Sequence, residues 1–188
     1  MLFNRVTVAG LVVSLFVTAS VAAAATLDKG ATELAGSAGV TSTSFSGGGT
    51  STTVVTADVK YGFCVSRNWE IAPQVILTSL SGGGSTLTNF SGAVSGIYNF
   101  ATAGNNLVPF LEAGVGLGSV SAGGSSQSFS TLPLLAGGIR MLMGNSASIN
   151  ITAGYQRVSM SSGGSTATEN TIGVQAGLSI FPRGFGGK

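Results

Sequence analysis

The chain has 188 residues, of which only 7% are charged, and it contains 30 glycines and no histidine. Soluble domains usually carry about 25% charged residues, so the deficit favours a lipid-facing surface; a sticky secreted structural protein is the alternative. The formal net charge is +2 and no basic stripe is present, so the chain lacks the electrostatic footprint of a nucleic-acid-binding protein.

The first 25 residues have the composition of a secretory signal peptide. Arg5 supplies the positive charge, residues 6–17 are apolar, and three alanines at 23–25 provide the small-x-small cleavage pattern. A retained anchor helix is the alternative, but the apolar stretch is shorter than the roughly 20 residues that a spanning helix needs. The predicted organisation is a signal peptide at 1–25, an outer-membrane β-barrel at 26–181 and a short tail at 182–188.

Most of the remaining chain alternates between apolar and polar residues. Residues 55–65 are the clearest case, with valine, alanine, tyrosine and phenylalanine at the odd positions. A period of two places these residues on one face of a strand. The pattern predicts eight strands, at 33–43, 53–65, 69–80, 86–100, 107–120, 128–143, 147–160 and 168–181.

The connections between the predicted strands are of two kinds. Those after the even-numbered strands contain the Asn, Ser and Gly residues of tight hairpin turns. Those after the odd-numbered strands are Gly- and Ser-rich and linker-like, at 46–50, 81–85, 121–125 and 161–165. Two chemically distinct ends indicate two environments, and an even number of antiparallel strands returns both termini to one side.

A sheet in lipid must close on itself to pair all its amides, so the predicted fold is all-β, an eight-stranded antiparallel up-and-down transmembrane barrel. Eight strands leave an interior that side chains can fill. Charged residues share the inward register; they are Glu33, Asp58, Lys60, Glu70, Glu112, Arg140 and Glu169. Buried charges need partners, so we predict an ion-pair network in which Arg140 and Lys60 pair with Asp58, Glu70 and Glu112. A packed, non-conducting interior and a gated solute path are both compatible with it.

Aromatic residues cluster near both ends of the predicted strands. Two aromatic girdles are typical of membrane interfaces. The predicted girdles contain Tyr61, Phe63, Trp69, Tyr98 and Phe100 near the tight turns, and Phe129 and Tyr155, with Phe45 and Phe90, near the glycine-rich loops.

Five residues do not fit simple alternation or need separate comment. Arg157 faces outward on strict alternation, where it would reach lipid head groups unless a bulge turned it inward. Pro73, Pro109 and Pro133 each remove a donor from the ladder, and a bulge or weak edge is predicted at Pro73. Cys64 lies inside a strand and is predicted to be a small buried residue.

These features together resemble the small eight-stranded outer-membrane barrels, the OmpA-like and OmpX-like group. The resemblance covers roughly residues 30–181 and includes the last strand, 173–181, whose alternate apolar residues end in an aromatic, like the assembly signal of such barrels. The tail after Phe181 and the short, bland loops depart from the family pattern; the short loops argue against adhesion. The resemblance implies an outer-membrane location, periplasmic termini, contact with bilayer and outer-leaflet lipid, and insertion by the barrel assembly machinery.

The expected function is structural: an outer-membrane barrel with a packed polar interior that contributes to envelope integrity. A small solute-permeable pore and a soluble lipocalin-like barrel are the alternatives. No histidine triad, Cys/His cluster or phosphate-binding loop is present, so neither catalysis, a cofactor nor a metal is expected. Nothing in the sequence requires an oligomer, so a monomer is expected.

Overall fold

A computed structural model describes residues 27, 29–45, 51–82, 85–100, 106–122, 125–144, 146–162 and 165–182. The predicted signal peptide lies outside the described residues, as does the predicted tail except for Pro182. None of the described residues forms a helix long and apolar enough to cross a bilayer.

Eight antiparallel strands close into a barrel in which each strand pairs with its neighbours in sequence and the last pairs with the first. The strands are β1 (Thr32–Phe45), β2 (Ser51–Cys64), β3 (Trp69–Gly82), β4 (Ser85–Asn99), β5 (Leu107–Ala122), β6 (Ser125–Met143), β7 (Ala147–Ser162) and β8 (Ser165–Ile180). The predicted strands are all present. The structure extends most of them by two or three residues towards the glycine-rich loops, because Ser and Thr continue the pairing there.

The two faces of the barrel wall differ in chemistry as the alternation predicts. Val59 and Val115 point outward and are 57% and 54% exposed. Lys60 follows Val59 on the other face and is half-buried. Ser95, Glu112 and Thr131 also face the interior and are buried. The barrel is therefore apolar outside and largely polar inside, the reverse of a soluble barrel.

Described residues that flank β1 and β8 pack at the tight-turn end of the barrel. Leu27, Ala31, Cys64 and Phe181 form a buried cluster. Cys64 exchanges backbone hydrogen bonds with the segment before β1, at 2.8 Å to Gly30 N–H and 2.9 Å to the Ala31 carbonyl. The burial predicted for Cys64 is observed, whereas the sequence pattern did not indicate that Leu27 and Phe181 would pack together there.

The main irregularity of the wall lies in β6. The register against β7 shifts between Thr131 and Leu134, on either side of Pro133. Because an extra residue reverses the alternation, Phe129 and Thr131 point inward on one side of the shift while Leu134 and Arg140 point inward on the other.

The bulge expected at Pro73 is not present. The pairing of β2 with β3 keeps the same register from Lys60–Gln74 to Phe63–Ile71, and only the pairs opposite Pro73 and Ala72 are missing. Pro73 therefore interrupts the ladder, as a residue without an N–H must, without changing which face each side chain occupies.

Candidate functional site in the barrel lumen

The charged group nearest the tight-turn end of the lumen is centred on Arg140 of β6. Its guanidinium lies 2.8 Å from a Glu33 carboxylate oxygen and 3.4 Å from one of Glu70. It also lies over the rings of Phe110 and Phe181, 5.7 and 5.6 Å from their centroids. All three charged residues are at most 2% exposed. We refer to Glu33, Glu70 and Arg140 as the Arg140 cluster.

A second ion pair lies further into the barrel. Lys60 Nζ of β2 is 2.6 Å from a Glu112 carboxylate oxygen of β5. Asp58 accepts a hydrogen bond of 2.5 Å from the Ser37 hydroxyl, and no ion pair among the described residues includes it. The five residues predicted to form one network therefore all face the lumen, but four of them form two separate ion-paired groups and Asp58 belongs to neither.

Glu33 lies in the lumen as its register predicts, whereas its pairing with Arg140 was not among the predicted ion pairs. Counting from the tight-turn end would have found it. Counted from the tight-turn end of each strand, Glu33 and Glu70 are the second residues and Arg140 is the fourth. On the same count Lys60 is the fifth residue and Glu112 is the sixth. Depth in the barrel thus sorts the charges into two levels.

A cavity of about 120 Å³ lies in the lumen on the side of the Arg140 cluster that faces the glycine-rich loops. Its lining includes Asp58, Lys60, Gln74, Gln156, Thr171 and Gln175. A water molecule occupies about 30 Å³ in the liquid, so this polar space has room for a few waters. Within the described ranges, no group of three or more Cys, Asp or Glu side chains is arranged to hold a metal ion.

Phe129 lies inside the lumen near the glycine-loop end. Its side chain is 5% exposed, and Thr131 of the same strand and Val158 of β7, which are opposite each other in the ladder, are also buried. The prediction that Phe129 belongs to an outward aromatic girdle is wrong, because the shift at Pro133 reverses the alternation before Arg140 is reached. Phe129 thus occupies the lumen near the glycine-rich loops, and the Arg140 cluster occupies it near the tight turns.

Glycines make room for these closing side chains. A Cβ on Gly118 would overlap the Phe129 ring and come within 2.7 Å of Ser91 Cβ. A Cβ on Gly138 would meet the Phe110 ring in the same way. At Gly118 and Gly138, therefore, the space beside the glycine is filled by an aromatic ring.

This packing predicts that Gly118→Ala destabilises the barrel by about 1–3 kcal/mol through overpacking. Gly92→Ala is the matched control, because its Cβ would meet nothing closer than 4.0 Å. Urea unfolding of the lipid-reconstituted barrel measures both. Adding Phe129→Leu to Gly118→Ala should recover part of the loss, since residues in contact are energetically coupled. Additive effects of the two substitutions would contradict the contact.

The side chain of Phe45 lies outside the part of the chain that the structure describes; the other predicted girdle residues lie on the outer wall. At the tight-turn end, Tyr61, Phe63, Trp69 and Phe100 are exposed. Tyr98 joins two of them, with its ring centroid 5.1 Å from Trp69 and 4.9 Å from Phe100 in edge-to-face geometry. At the other end, Phe90 is exposed, and Tyr155 faces outward and donates a hydrogen bond to Asn170.

Solved structures share this fold. The crystal structure of Neisserial surface protein A superposes with a TM-score of 0.64 at 18% identity, covering 80% of this chain and 96% of that chain. The crystal structure of the outer membrane protein OprG from Pseudomonas aeruginosa gives a TM-score of 0.51 at 11% identity, covering 82% and 97%. The predicted eight-stranded barrel, resembling the small outer-membrane barrels, is confirmed. No protein-family profile and no curated protein sequence matches the chain.

Proposed function

We propose that this chain is an exported, monomeric outer-membrane barrel that contributes structurally to envelope integrity, carries out no catalysis and does not conduct through its closed interior. In this proposal the barrel assembly machinery inserts the chain, and its permanent partners are the bilayer lipids. The observation that carries the proposal is an apolar outer wall around a largely polar lumen that holds buried side chains near both ends, Phe129 at one and the Arg140 cluster at the other.

The height of the apolar wall supports membrane insertion. On β7 the outward positions from Ala147 to Tyr155 are apolar or aromatic and extend over nine residues. Tilted transmembrane strands need about 9–11 residues to cross the hydrocarbon region. A wall of this height would fit a bilayer and would be insoluble in water.

A small pore is the second candidate, and the polar cavity in the lumen favours it. Buried side chains lie on both sides of the cavity, however, and in this proposal passage would require both Phe129 and the Arg140 cluster to move. A soluble lipocalin-like barrel would need the apolar residues inside, which is opposite to the orientation of Val59 and Lys60.

Cell fractionation tests the location. The full chain, expressed with its own leader in a Gram-negative host, should stay in the outer-membrane fraction through salt and carbonate washes and be released by detergent. Its migration on a gel should change on boiling, because a closed barrel resists detergent until it is heated. Release by carbonate alone would contradict membrane integration.

A deletion strain tests the role. Loss of the chain should increase uptake of a hydrophobic dye, and the wild-type gene should restore the barrier. Dye uptake equal to that of the parent strain would contradict a contribution to envelope integrity, even where fractionation places the protein in the membrane.

A further inference from the structure

The outer wall changes from apolar to polar along one line near the glycine-rich loops. Moving towards those loops, the exposed apolar side chains of Leu77, Phe90, Leu117, Leu132 and Ile172 are each followed, at the next outward position, by a polar one. These polar positions are Ser79, Thr88, Ser119, Ser130 and Asn170, and Arg157 lies at the same level opposite Asn170. We call this set the polar rim, and in the proposed orientation it lies at the level of the lipid head groups.

Arg157 is the one cation of the polar rim. It is exposed and makes no ion pair within the described ranges. The other cations of those ranges lie elsewhere: Lys60 and Arg140 are in the lumen, and Lys29 and Arg67 are at the tight-turn end. An arginine on the lipid-facing side costs about 2–4 kcal/mol at the bilayer midplane but about 0–1 kcal/mol near the interface. Its position at the rim is therefore where a guanidinium is tolerated.

Asn170 adds a second donor beside the guanidinium. Arg157 and Asn170 are directly opposite each other in the β7–β8 ladder, a relation that places their Cβ atoms about 4.5–5.5 Å apart. The Tyr155 hydroxyl donates to Asn170 Oδ1 at 2.9 Å. Because this bond occupies the amide oxygen, the amide offers its Nδ2 donors. Arginine has donors only, so the pair is suited to an anion.

Apolar side chains next to Arg157 and Asn170 indicate that the anion belongs to a lipid. Directly below the pair, towards the membrane centre, lie the Tyr155 ring and Ile172, which is 65% exposed. We infer that Arg157 and Asn170 bind the phosphate of an outer-leaflet lipid head group, while its acyl chains cover Tyr155 and Ile172. This inference rests on the proposed function, since it requires the barrel to be inserted in a bilayer.

Native mass spectrometry of the detergent-refolded chain, loaded with phosphatidic acid, tests the site. The matched lipid is diacylglycerol with the same acyl chains and no phosphate. Wild type should retain phosphatidic acid in preference to diacylglycerol, and Arg157→Gln should weaken this retention roughly tenfold, as expected for loss of a charge-assisted contact. Arg157→Lys should retain part of the binding, and Asn170→Ala should weaken it less than Arg157→Gln does.

Arg67→Gln is the control, because it removes an exposed cation from the opposite end. Equal retention by wild type and Arg157→Gln, or an equal loss in Arg67→Gln, would overturn the inference. Complete displacement by millimolar inorganic phosphate would also overturn it, since the site would then bind free anions rather than lipid. Failure of wild type to insert into phosphatidylcholine vesicles would instead contradict the proposed function, so the two failures are distinguishable.

Discussion

Replacing Arg140 with methionine is expected to destabilise the barrel by about 3–5 kcal/mol, the usual cost of removing one partner from a buried ion pair. Methionine occupies similar space but leaves the carboxylates of Glu33 and Glu70 buried without a counter-charge. Urea titration of the barrel in lipid vesicles, followed by the fluorescence of Trp69, measures the free energy of unfolding.

The matched variant neutralises the whole Arg140 cluster. Glu33→Gln, Glu70→Gln and Arg140→Met together should recover most of the stability lost by Arg140→Met alone, because replacing a complete buried ion group is often nearly neutral. If the triple variant is as unstable as the single one, packing rather than charge explains the role of Arg140. If Arg140→Met has no effect, the ion pairs contribute nothing.

Opening the lumen at both ends is expected to give the second large effect. Wild type in a planar bilayer should show no reproducible conductance steps, because Phe129 closes one end and the Arg140 cluster the other. Phe129→Ala, combined with Arg140→Ala, Glu33→Gln and Glu70→Gln, should produce stable open steps. Variants in which only one end of the lumen is altered should show no conductance steps, because the side chains at the other end are intact.

Phe90→Ala is the control for the aromatic substitution, because Phe90 faces outward at the same end of the barrel. The Phe90→Ala variant should show no reproducible conductance steps. Reproducible steps in wild type that change in Arg140→Ala would contradict the closed interior and favour the pore. A silent variant with both ends opened would show that other side chains seal the lumen.

The strands and the sides they face could be predicted from the sequence because a barrel wall in lipid must alternate strictly. The outward valines of β2 and the inward glycines of β5 follow from a period of two alone. Phe129 was misplaced because one extra residue at Pro133 reverses the alternation within β6, and periodicity on either side of that point gives no sign of the shift.

The site was partly predictable for a similar reason. The alternation of inward and outward residues places Arg140, Glu33 and Glu70 inside the barrel. Which of them pair depends on their depth along the barrel axis, and the alternation gives no information on depth. The packing of Leu27 against Phe181 was not predictable at all. These residues come from opposite ends of the domain and meet only because the last strand pairs with the first.

Quenching of tryptophan fluorescence by brominated lipids tests the inside-out arrangement most directly. Trp69 is the only tryptophan and is 52% exposed on the outer wall near one end. Moving the tryptophan to mid-wall, with Trp69→Phe and Leu111→Trp, should shift maximal quenching from bromines near the head groups to bromines deep in the acyl chains. Quenching of both proteins by aqueous iodide, with no effect of brominated lipid, would contradict a lipid-facing wall.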